Sequence, residues 1–327
     1  LGAVLETTGR KSEALDANQT TVALSPQDSA AHYNLGNTLR ELGRLDEALA
    51  SYSQAITLNP DFAQAHYNLG NTFKELKRLD DALASYNQAI TLKPDFAQAH
   101  YNLGNTLKET KRLDDALASY NQAIALKPDY AKAHYNLGNT LKELGRLDDA
   151  LASYNQAIAL NPDFAEAHSN LGITLTELGR LDDALASYTQ AIALDPDFAE
   201  AHSNLGTMLK EVGRLDDALA SYTQAIALDP DFAKAHYNLG NTLKELGGRL
   251  DEALSSYTQA IALNPDFAEA HNNLGNTLKE LGRLDEALAS YTQAIALNPD
   301  FVEAHNNLGN MFQELGKYDD ALASYKQ

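Results

Sequence analysis

The sequence predicts an all-α chain, a solenoid in which pairs of antiparallel helices stack one on the next. Three regularities carry that expectation. The phrase AHYNLGNTLKELGRLDDALASYNQAIALNPDF, from Ala133 to Phe164, returns with small edits along the chain of 327 residues. All nine prolines, Pro26 through Pro299, fall at one phase of a 34-residue period with a single spacing of 35, and all nine histidines, His32 through His305, at another. Within each period the apolar residues recur every three or four positions, the pattern of a helix with one face to hide.

A period of this kind overrides any domain count taken from length. Full units run 29–62, 63–96, 97–130, 131–164, 165–198, 199–232, 233–267 and 268–301, with partial units at 1–28 and 302–327, and together they are expected to form one continuous solenoid domain. In the unit from Ala131, helix A carries Ala133, Leu137, Leu141 and Leu144 on one face. Helix B carries Leu147, Ala150, Leu151, Tyr154, Ala157, Ile158 and Leu160. One such hairpin cannot bury both faces, so neighbouring units must cover it.

The punctuation agrees. Gly145 suits a left-handed residue after helix A, and Asn161-Pro162 ends helix B, because proline disfavours helical geometry in the residue before it. Asp148 is expected to cap helix B, and Asp163 with Glu166 to open the next helix A as a capping box. Gly138, Ala150 and Ala157 are small where bulk would hold helices apart. Gly247-Gly248 adds one residue to a turn, which should shift a loop without breaking the stack; Lys77 and Lys111 replace the turn glycine at modest cost.

The net charge of −20 is spread over the repeats rather than gathered in a tail. It argues against nucleic acid and anionic lipid as partners and leaves two readings, solubility or a preference for basic segments. The absence of cysteine excludes disulfides and thiolate metal sites. No apolar run approaches the roughly 20 residues that span a bilayer, so no membrane association is expected and a cytoplasmic location is. The chain opens inside a repeat and reads as a piece of something longer.

Gly138, Ala150, Ala157 and Pro162, with Leu137 and Tyr154, resemble the tetratricopeptide repeat consensus over essentially the whole chain. The form AHxNLGN, with FAEAH before it and His134 where the consensus has tryptophan, resembles the repeat region of the O-GlcNAc transferases and their bacterial relatives. That resemblance implies a right-handed superhelix whose concave face, lined by helices A, holds extended peptide. It also implies a parent protein in which this recognition arm serves a glycosyltransferase domain, none of which lies in these residues. Some members of the family clamp a chaperone's terminal carboxylate with lysines; here lysine stands only at places such as Lys132 and Lys234, which argues against that role.

No enzyme is expected in this chain. A group repeated nine times at equal spacing is poor material for one active site, and Asp148 and Asp149 read as first-turn charges. Nor is a metal or other cofactor expected: helices packed about 8–10 Å apart cannot bring successive histidines to one zinc ion. Histidine is read instead as a packing or polar contact.

Two asparagine columns are the candidate site. The first is Asn34, Asn68, Asn102, Asn136, Asn170, Asn204, Asn238, Asn273 and Asn307; the second is Asn37, Asn71, Asn105, Asn139, Asn241, Asn276 and Asn310. Asparagine is a mediocre helix former, so something other than helix stability favours it on a helix face. Its amide can pair with both the N–H and the C=O of an extended peptide. The resemblance gives the matching asparagines that role, whereas the residues alone also allow them to bond to one another and fix the repeat angle. Glu41, Glu75, Glu109, Glu143, Glu177, Glu211, Glu245, Glu280 and Glu314 edge the columns, as a draw for basic segments or as a solvated face. Ile173 and Thr207 interrupt the second column, beside Ser169 and Ser203 where neighbours mostly have tyrosine. A second function is also open: end units with exposed apolar stripes would associate head to tail.

Overall fold

The computed structural model describes residues 11–326, and among them it has nineteen helices and no strand. The chain divides into two compact units at Asp163. In the first, Lys11–Leu24 precedes four helix pairs, Ser29–Glu41 with Leu45–Leu58, Ala63–Glu75 with Leu79–Leu92, Ala97–Glu109 with Leu113–Leu126, and Ala131–Glu143 with Leu147–Leu160. In the second, the pairs are Ala165–Glu177 with Leu181–Leu194, Ala199–Glu211 with Leu215–Leu228, Ala233–Leu246 with Leu250–Leu263, Ala268–Glu280 with Leu284–Leu297, and Val302–Glu314 with Tyr318–Ser324. Within each unit a helix packs on its hairpin partner and on the helix that follows, the arrangement of a solenoid.

The expected turn residues do their work. Gly145 has φ 74°, and around it Arg146 N–H reaches Leu141 O at 2.9 Å while Gly145 N–H reaches Lys142 O at 2.9 Å. This pair of bonds satisfies the carbonyls left over at the end of helix A. Lys77 and Lys111 take the same left-handed conformation, at φ 60° and 61°. At the insertion, helix A runs one residue longer to Leu246 and both Gly247 and Gly248 turn left-handed, so the following helix still pairs as in other repeats.

The caps differ from expectation. Asp148 is not the cap of helix B, since the helix already starts at Leu147 behind Arg146. The turn bond of Arg146 fixes that start, and its guanidinium holds Asp149 at 2.8 Å from Nε. Asp163 does not cap helix A either: Phe164 is the residue before the helix and makes no side-chain bond there. The ring at this place serves packing instead, as Phe62 shows against Tyr33 with centroids 4.8 Å apart. Asp28 does cap, its carboxylate accepting from Ala30 N–H at 2.9 Å.

The core repeats too. A Cβ on Gly36 would lie 2.7 Å from Tyr52 Cε1, so glycine is the residue that lets this fully buried ring lie across helix A. Tyr52 clusters with Leu39 and Ala48 and gathers Leu15, Leu35 and Leu69 from three successive repeats, and Tyr257 gathers Leu219, Leu239 and Leu274 in the same way. Histidine makes a polar contact: the His32 ring nitrogen Nε2 meets Pro26 O at 3.0 Å, tying helix A to the turn before it.

Candidate peptide-binding site

The asparagines lie on helix A, one turn apart, where one helix A meets the next. A wheel drawn for a single helix turns the first column out to solvent; in the structure Asn68, Asn102, Asn136, Asn204, Asn238, Asn273 and Asn307 are half-buried at that junction, Asn170 is half-buried as well, and Asn34 is exposed. The neighbouring repeat supplies the cover.

Most of the ladder is bonded to itself. Asn102 Nδ2 donates to Asn71 Oδ1 at 2.8 Å and to Tyr67 OH at 2.9 Å, so both amide hydrogens cross to the preceding repeat. Asn68 does the same with Asn37 and Tyr33, Asn136 with Asn105 and Tyr101, and Asn273 with Asn241 and Tyr237. Asn307 reaches Asn272 Oδ1 at 3.0 Å. From beneath, the core tyrosines donate to the second column, Tyr52 to Asn37, Tyr86 to Asn71, Tyr120 to Asn105, Tyr154 to Asn139, Tyr257 to Asn241 and Tyr291 to Asn276, and the exposed Tyr325 donates likewise to Asn310. The second-column oxygen is therefore saturated, with a tyrosine hydroxyl below and, in four rungs, an amide beside it.

The rungs leave some groups over. Asn37 and Asn105 keep both Nδ2 hydrogens, and Asn102 and Asn136 keep Oδ1, with no partner among the described residues. At the Asn105–Asn136 rung donor and acceptor thus sit side by side, whereas Asn68 and Asn273 already accept at Oδ1 from Asn71 and Asn272.

Two rungs are open. Before Asn204 the preceding repeat has Ser169 and Ile173, and before Asn238 it has Ser203 and Thr207. These substitutions put shorter or apolar side chains where other rungs have the phenol and the amide oxygen, and the amides of Asn204 and Asn238 have no partner among the described residues. Thr207 is engaged from below by Tyr222 OH at 3.1 Å.

The glutamates are mostly neutralised across the same junction. Arg40 meets Glu75 at 3.7 Å, Lys210 meets Glu245 at 3.6 Å, Lys244 meets Glu280 at 2.9 Å and Lys279 meets Glu314 at 2.7 Å. Glu109 and Glu143 are held instead by the turn lysines Lys77 and Lys111, at 3.1 and 2.7 Å. The Lys111 bond holds the Glu143 carboxyl below the usual range. Shallow pockets of about 380, 440 and 520 Å³ open between successive helices A. Each is floored by a core tyrosine and walled by a second-column asparagine, a first-column asparagine, lysines and a glutamate.

Sequence reasoning missed the tyrosine hydroxyls of Tyr33, Tyr67, Tyr101 and Tyr237 as acceptors for the ladder. A signal was present: where Ser169 and Ser203 replace tyrosine, Ile173 and Thr207 replace asparagine four residues on. Among the described residues no group of histidines and carboxylates is placed to hold a metal ion, and no helix is long and apolar enough to cross a membrane.

Helix hairpins that stack through glycine and tyrosine, with polar columns left along helix A, define a helical repeat scaffold. The chain belongs to the tetratricopeptide repeat family. Profiles described as TPR repeat match residues 36–77 and 70–111, and profiles described as tetratricopeptide repeat match 18–50 and 273–327. A profile described as the Cilia and flagella-associated protein 70 C-terminal domain matches 96–298. No curated protein matches. Among solved structures, the Cut9–Hcn1 hetero-tetramer of APC/C is similar at 17% identity over 91% of this chain and 58% of that one, with TM-score 0.62. YrrB, described as a TPR protein with an unusual peptide-binding site, is 28% identical over 56% of this chain and 95% of that one, with TM-score 0.49. MamA is 28% identical over 48% of this chain and 91% of that one, with TM-score 0.45.

Proposed function

We propose that the chain is a protein-interaction scaffold that grips extended segments of partner proteins along the asparagine columns of helix A. One observation carries this reading: after the ladder has bonded to itself, the Nδ2 hydrogens of Asn105 and the Oδ1 of Asn136 remain side by side at one junction, and Asn204 and Asn238 keep whole amides. An extended strand presents N–H and C=O groups in alternation, so these groups hold a backbone without reading its side chains. The self-bonded rungs fix the spacing; the remaining groups do the gripping. Because most edging glutamates already have cations, the columns favour basic segments only near Glu211, before which the preceding repeat has Thr176 in place of a lysine.

The test is binding of the full chain to an array of unrelated extended peptides. Asn204→Ala with Asn238→Ala should weaken binding about 3- to 10-fold per lost hydrogen-bonding amide, with unchanged circular dichroism. Undiminished binding would contradict the reading.

A second reading, end-to-end self-association, is favoured by Val302, Tyr318 and Leu322, which are 64%, 70% and 53% exposed on the last helix pair. Sedimentation velocity of the wild type against Tyr318→Glu with Leu322→Glu separates the two: a concentration-dependent assembly abolished by the pair supports it, and a monomer in both opposes it.

A further inference from the structure

In four repeats the lysine or arginine near the end of helix A is paired with the glutamate of the next helix A, as described above. The two repeats with lysine in the left-handed turn break this pattern. Lys77 and Lys111 take Glu109 and Glu143 for themselves, and Lys74 and Lys108, one turn earlier, have no ion pair among the described residues. Both are half-buried, and burial holds their ammonium groups below the ordinary lysine value, an environment that rewards a counter-charge. Lys74 lines a pocket with Asn71 and Asn102, and Lys108 lines the next with Asn105 and Asn136. Glu109 and Glu143 lie close enough to act on them but are bonded to the turn lysines. In the corresponding pocket of the second unit, Lys210 and Lys244 are both paired.

Resting on the reading of these columns as a peptide groove, we infer that residues 63–143 recognise an acidic segment, seating one carboxylate at Lys74 and a second at Lys108. Packed helices lie about 8–10 Å apart and an extended strand rises about 3.3 Å per residue, which puts the two acidic residues about three positions apart. The chain's overall charge of −20 does not oppose this, because exposed charges beyond about 8 Å are largely screened at physiological salt while a half-buried cation in contact is not. The turn lysines act as the selector: by occupying the glutamates they release the two cations that glycine would have left paired.

The experiment uses fluorescein-labelled twelve-residue Gly/Ala/Ser peptides with Asp, or with Asn, at every third position, titrated by anisotropy against the full chain. The Asp peptide should bind about ten-fold tighter than the Asn peptide, as expected for charge-assisted contacts. Lys74→Gln with Lys108→Gln should bring that preference below twofold, and Lys244→Gln with Lys279→Gln should leave it. Lys77→Gly with Lys111→Gly should also erase it, although neither proposed contact residue is touched. Equal binding of the two peptides, or a preference that survives Lys74→Gln with Lys108→Gln, overturns the inference. If equal binding is also lost in Asn204→Ala with Asn238→Ala, the groove reading stands without it, whereas absence of binding by either peptide overturns both.

Discussion

The helix A surface of residues 63–143 and that of residues 165–238 come from the same repeated phrase, yet they differ in what they leave available. In the first, every first-column amide is bonded to the repeat before it, and the half-buried Lys74 and Lys108 have no ion pair among the described residues. In the second, Ser169, Ile173, Ser203 and Thr207 replace the tyrosine and asparagine that other rungs use, and Glu211, with Thr176 before it, has no ion pair among the described residues. The Gly172–Tyr188 and Gly206–Tyr222 contacts that build the core are unchanged beneath them. The lesson is that side-chain chemistry along helix A varies while the glycine–tyrosine stacking beneath it is kept, so one architecture carries two kinds of helix A surface.

The largest expected effect should not distinguish the regions at all. Burial pushes Tyr188, Tyr222 and Tyr291 up to about 12, and Tyr52, Tyr86, Tyr120 and Tyr257 are raised by the same cause. A phenol whose folded value is raised stabilises the fold fully below its unfolded value near 10 and loses that contribution as pH rises toward the folded value. Each such tyrosine should remove about 1.4 kcal/mol per pH unit above 10, so both regions should unfold together between about pH 10 and 12. Far-ultraviolet circular dichroism against pH checks this, and retained helicity at pH 12 would break the account of the core.

Next in size is the comparison of rungs. Asn102→Ala removes two inter-repeat hydrogen bonds and should cost about 1–3 kcal/mol, read from urea unfolding. Asn204→Ala removes none and should be neutral or slightly stabilising, since alanine is the better helix former. Equal losses at the two sites would erase the distinction between bonded and open rungs. The converse graft, Ser203→Tyr with Thr207→Asn, restores both acceptors for Asn238 and should stabilise the chain by about 1 kcal/mol while weakening peptide binding. Smallest is Lys77→Gly, which relieves a left-handed lysine at φ 60° and should stabilise by about 0.5–1 kcal/mol despite the added freedom of the unfolded chain.

The fold was legible because its signals are local. Gly145 marks the left-handed turn, Pro162 ends helix B within one residue, and Leu137 and Tyr154 show their period within a single unit. The caps were misread where two local signals competed: Asp148 is a good cap by residue type, but the Arg146 backbone bond starts the helix two residues earlier. The state of the ladder was not legible for a different reason. The partners of Asn102 are Asn71 and Tyr67, 31 and 35 residues away, and a wheel drawn for one helix has no place for them. Lys77 reaching Glu109 across 32 residues is hidden in the same way.

The most direct test follows the asparagine side chains themselves. In protein labelled with ¹⁵N at the asparagine amides, a peptide selected from the array is titrated and the side-chain NH₂ resonances are followed. The account predicts that Asn204 and Asn238 shift most and that the unbonded second-column amides of Asn37 and Asn105 shift in step with any peptide seated on their repeats. Resonances that stay fixed while the peptide binds would place the partner on another surface and contradict the claim that these columns are the groove.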